Sequence, residues 1–100
     1  MPSIKIVVPH VHGQQHASER LLGFMTQMKT QYKDQVSDLQ ETWEESRLNY
    51  SFRTFGMTVR GAVEVEEQQV SLHADLPFAA MMFKGKIEQE IRSTLERVLG

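Results

Sequence analysis

Cysteine is absent from the 100-residue chain, which removes a disulfide framework, a thiol nucleophile and cysteine-ligated zinc, and suits a reducing compartment. An excess of positive charge is missing too. Eleven Lys and Arg stand against 13 Asp and Glu, for a formal charge of -2 and a pI near 6.1, a balance that argues against a domain living on phosphate contacts with nucleic acid. The longest apolar runs, residues 6–8 and 77–83, fall far short of the roughly 18 residues needed to span a bilayer. No charged-then-apolar secretion signal opens the chain, so the expected location is cytoplasmic. Also lacking are a G-x-S-x-G elbow, a glycine-rich phosphate loop and an H-E-x-x-H pair. Catalysis therefore has no named agent, and the expectation is a protein that is not an enzyme and has no cofactor.

What is present reads as one α+β domain over residues 1–100, with 40% hydrophobic and 24% charged residues and no internal repeat, low-complexity tract or linker. A chain of this size buries roughly 65% of its unfolded surface, which speaks against large internal cavities. Residues 3–8, S-I-K-I-V-V, form a β-branched run stopped by Pro9. After a turn at residues 11–13, Ala17, Leu21, Phe24, Met25, Met28 and Tyr32 recur at spacings of three and four and predict a helix over residues 14–33. Gly23 inside it costs about 1 kcal/mol relative to Ala unless a close helix-to-sheet contact explains it.

From Val36 the period changes to two. In V-S-D-L-Q-E-T-W-E, Leu39 and Trp43 also fit a helix at i, i+4, but the segment is assigned to a strand. Leu48, Tyr50 and Phe52 alternate with polar residues, as do Met57, Val59, Gly61, Val63 and Val65, and then Val70, Leu72, Ala74 and Leu76. The reversals fall at Phe55-Gly56 and at residues 66–68. Pro77 suits the first turn of a last helix, with Asp75 as its cap or a nearby negative charge. Phe83, Ile87, Ile91, Leu95 and Val98 draw that helix's apolar stripe, and Lys84 with Glu88 and Lys86 with Glu90 are expected ion pairs. The order β-α-β-β-β-β-α gives an antiparallel sheet of about five strands with both helices on one face. Its expected core is Ile6, Leu21, Phe24, Met28, Val63, Leu72, Phe83, Ile87, Ile91 and Leu95.

The sharpest chemical signal is H-x-H-x-x-x-H at His10, His12 and His16, since imidazole is the commonest metal ligand. No period brings these rings together and no converging carboxylate is predicted, so the expected use is hydrogen bonding in the turn rather than a metal site. Asp34, Asp38, Glu41, Glu44 and Glu45, and again Glu64, Glu66 and Glu67, are read as solvated turns and polar faces. Residues 78–83, F-A-A-M-M-F, are apolar all round. Phe78, Met81 and Met82, flanked by Lys84 and Lys86, are the candidate binding patch. That patch and the exposed sheet edges favour a homodimer.

The stretch V-R-G-A-V-E-V-E-E-Q-Q-V-S-L-H-A-D-L-P-F followed by F-K-G-K-I-E-Q-E-I-R-S-T-L-E resembles the polyhydroxyalkanoic acid system family, small proteins associated with bacterial polyester storage genes. Pro9-His10, the helix beginning near Ala17 and Trp43 fit the same layout. The resemblance transfers no catalytic residue. What it implies, together with the patch, is a non-catalytic accessory protein that acts at the surface of polyhydroxyalkanoate granules or holds an apolar, acyl-chain-like ligand. The alternatives are a small metal-dependent enzyme using His10, His12 and His16, and a dimeric protein–protein adaptor. The closing sheet-then-helix arrangement is also similar to a shortened helix-grip fold of lipid-binding domains, with fewer elements than an enclosed ligand cavity needs.

Overall fold

A computed structural model describes residues 3–100. The elements follow the expected order: β1 (Ser3–Pro9), α1 (Gly13–Gln31), β2 (Ser37–Glu44), β3 (Arg47–Thr54), β4 (Met57–Val65), β5 (Gln69–Asp75), a short 3-10 helix (Phe78–Phe83) and α2 (Lys84–Leu99). All five strands form one antiparallel sheet in the spatial order β1-β5-β4-β3-β2, so the first strand closes the meander by pairing with the last. Pro9 remains in the ladder, opposite Gln69, as an edge strand permits. The segment that fitted either period is a strand.

Register fixes which residues share a face, because side chains alternate strictly along each strand. One row crosses the inner face as Ile6, Leu72, Val63, Leu48 and Trp43, and the next as Ile4, Ala74, Gly61, Tyr50 and Glu41. Ile4, Ile6, Val8, Leu48, Val65 and Val70 are almost completely buried there, and Leu95 and Leu99 of α2 and Ala17 and Leu21 of α1 pack onto them. The opposite face carries Lys5, Ser71, His73, Arg60, Glu64 and Asn49, which is the polar half of the alternation.

The hairpin between β3 and β4 turns on two residues, Phe55 and Gly56, both in the left-handed region (φ 51° and 75°). This twist matches that of the flanking strands. Gly supplies the conformation without strain, while Phe55 adopts it with its ring 84% exposed.

Several expectations change. Phe83 was placed in the core and is 59% exposed, because the chain enters α2 through a 3-10 turn that swings it off the apolar stripe; Ile87 and Ile91 do pack against the core. Asp75 caps no helix: Pro77 precedes the 3-10 turn without any side-chain cap. Neither Lys84–Glu88 nor Lys86–Glu90 closes; the ion pairs among the described residues are Lys29–Glu41 and Arg47–Glu64. No atom lies close to where a Gly23 side chain would project, so no tight contact explains that glycine.

Candidate functional site

Helix α1 is fully buried only in its first half. Its buried residues, Ala17 and Leu21, lie there, whereas Phe24, Met25 and Met28 are only half-buried although they continue the same stripe. The second half of the helix stands off the sheet, and the gap is a groove of about 500 Å³ open along one side. Its floor is Leu48, Val63, Leu72 and Leu95; its walls are Phe24, Met25 and Met28 of α1 and Leu39, Trp43 and Phe52 of the outer strands. That volume lies in the range of small-molecule sites, which are concave and mostly apolar.

Tyr50, which lines the groove, packs over Gly61 of the neighbouring strand. A Cβ at that position would stand 2.1 Å from the His73 carbonyl oxygen and 2.5 Å from the Tyr50 hydroxyl, so only glycine fits. The Tyr50 ring lies across it, stacked on Phe52 at 6.2 Å between centroids, and donates a long 3.4 Å hydrogen bond to the His73 carbonyl. Burial, and secondarily the negative charge of Asp75, push the Tyr50 phenol up to about 12. The groove wall thus presents a neutral hydroxyl at physiological pH.

The charged residues that line the groove are Lys29, in the last turn of α1, and Lys33, in the turn just beyond the helix, both exposed. Lys29 pairs with Glu41 across the open side, joining α1 to edge strand β2. Glu41 was expected on a solvated face. Its register opposite Tyr50 instead puts it on the inner face between Leu39 and Trp43, with only 18% of its side chain exposed. Glu41 stands two residues from Trp43 in the unbroken part of the ladder, so the strand's alternation places both on the inner face; the irregularity at Asp38 (φ 52°) lies before Gln40.

The histidines do other work. His10 is buried, its Nε2 3.0 Å from the Glu66 carbonyl and its Nδ1 accepting the His12 backbone N–H at 3.2 Å. These partners fix the tautomer with the proton on Nε2. The His12 ring stacks on His10 and donates from Nε2 to the Leu99 carbonyl at 2.6 Å. Arg20 donates to the carbonyls of Val98 and Gly100, so the start of α1 satisfies the carbonyl end of α2. His16 is exposed, and no group of three or more His, Asp or Glu among the described residues converges as metal ligands.

The apolar patch is on the surface: Phe78 is 78% exposed, Met82 90% and Met81 half, with Lys84 and Lys86 exposed beside them. None of the five lines the groove. Sequence reading named the patch and missed the groove, whose signal was an α1 stripe longer than the sheet's cover requires. No helix of the described residues is long and apolar enough to cross a membrane.

Residues 4–99 match the family described as "Putative polyhydroxyalkanoic acid system protein". No curated protein matches the chain.

Proposed function

The chain belongs to the polyhydroxyalkanoic acid system protein family, and on that premise we propose that it is a non-catalytic accessory protein of polyhydroxyalkanoate storage that holds an apolar, acyl-chain-like ligand between α1 and the sheet. The groove carries this reading: an uncharged interior lined by Phe24, Met25, Met28, Leu39, Trp43 and Phe52, roofed by a helix that is fully buried only in its first half. Methionines suit it, because their unbranched, polarizable side chains adapt to ligands of different shape. Burying roughly 300 Å² of apolar surface at about 25 cal/mol per Å² supplies several kcal/mol before the cost of association, which suits reversible binding. The test is titration with the uncharged dye Nile red. Saturable fluorescence enhancement, abolished by Met25→Glu with the fold intact by circular dichroism, is expected; no saturable binding by the folded wild type refutes the reading.

A second surface supports action at the granule itself. Phe78, Met81 and Met82 form an exposed apolar patch beside Lys84 and Lys86, suited to an apolar surface bearing negative charge. Its competing use is a homodimer joined through the same residues. Sedimentation of the wild type and of Met82→Glu, with and without isolated granules, separates the two. Pelleting with granules that Met82→Glu abolishes supports granule contact, and a dimer that Met82→Glu dissociates, in a protein that ignores granules, supports self-association.

A further inference from the structure

Resting on the apolar-ligand reading, we propose that the groove takes a free acyl-chain carboxylate, its alkyl tail against Met28 and Trp43 and its head group at the rim between Lys29 and Lys33. Charge complementarity carries the assignment. The rim has two lysines four residues apart, one at the end of α1 and one in the turn that follows it, over an otherwise uncharged lining, and Lys33 makes no ion pair among the described residues. The carboxylate that does reach this rim, Glu41, is set among apolar neighbours and already holds Lys29 across the opening. Glu41 is therefore the protein's own stand-in for the ligand head group. An arriving carboxylate is received by Lys33 and exchanges with Glu41 for Lys29, so the same ion pair that ties α1 to β2 opens as the ligand seats. A neutral chain of equal length finds the apolar wall but gains nothing at the rim.

Trp43 is the one tryptophan of the chain and lines the groove, so its emission reports occupancy without a label. The experiment titrates the protein at neutral pH and low salt with decanoate and, separately, with 1-decanol, each below its aggregation threshold. Decanoate is expected to bind about five- to tenfold tighter than the alcohol, the scale of an exposed charge-assisted contact. Lys33→Gln should erase most of that preference, and Glu41→Gln should tighten decanoate severalfold while leaving decanol unchanged, because it frees Lys29. Equal affinities in the wild type, or a preference that survives Lys33→Gln together with Lys29→Gln, overturn the head-group assignment and leave the apolar-ligand reading standing. Failure of both probes to bind the folded protein overturns both.

Discussion

Tyr50 lies across Gly61 so closely that a single added methyl on the glycine would stand 2.5 Å from the phenol oxygen. The pair faces across the β3–β4 ladder, and the same added atom would meet the His73 carbonyl of β5 at 2.1 Å. A backbone neighbour cannot rotate away as a side chain can, so three adjacent strands leave no room for a side chain at position 61, and the tyrosine at the base of the groove packs over bare backbone.

Gly61→Ala is accordingly expected to cost about 2 kcal/mol or more, the scale of overpacking a tight site. Gly23→Ala, at a helical position with open space around it, should be neutral or stabilising by up to about 1 kcal/mol. Urea denaturation of the two variants checks both signs, and a tolerant Gly61→Ala would contradict the close approach.

Tyr50 predicts an alkaline loss of stability. Its phenol ionises near 12 in the folded protein against 10 when free. The folded state therefore holds the proton more tightly, and this contribution is complete below pH 10 and fades as pH rises through 12. Holding the proton this much more tightly corresponds to roughly 2–3 kcal/mol. Tyr50→Phe should flatten the fall in unfolding free energy between pH 10 and 12; an unchanged slope would show that Tyr50 is not its source.

His10 and His12 are predicted to matter for stability. Removing the buried His10 ring leaves the Glu66 carbonyl and the His12 N–H without their partners, so His10→Ala should cost about 1–3 kcal/mol. His12→Ala should cost less and should speed amide exchange in the last turn of α2, as should Arg20→Ala, because both residues hold its terminal carbonyls. Added zinc should leave the melting temperature of the wild type unchanged; a stoichiometric zinc-dependent rise lost in His12→Ala would assign the cluster to metal.

The edge of the sheet beside α2 gives a fourth prediction. Arg92 donates to the Val7 carbonyl at 3.1 Å, occupying one of the edge acceptors of β1. Arg92→Ala should lower stability by about 1 kcal/mol and promote concentration-dependent association through that edge. Light scattering against protein concentration reads the second effect, and a variant as monodisperse as the wild type would argue against edge protection.

The sequence by itself determined the order of elements, the strand reversals and the two-layer α+β arrangement, because periods of two and near 3.6 are local properties that one apolar face must satisfy. It also determined which residues of β3, β4 and β5 point inward and that residues 78–83 are apolar all round. Tertiary structure alone decided how far α1 settles onto the sheet. Leu21 and Met28 belong to the same stripe, yet Leu21 is buried and Met28 borders a groove, since helix tilt depends on the volumes that face it. Glu41 and Gly61 make the same point from the sheet. A seemingly solvated carboxylate is covered because Lys29 of α1 reaches it across the groove, and a glycine's role depends on the ring that crosses it from the neighbouring strand. Register and packing between distant segments fix both outcomes, and neither quantity exists in a window of local sequence.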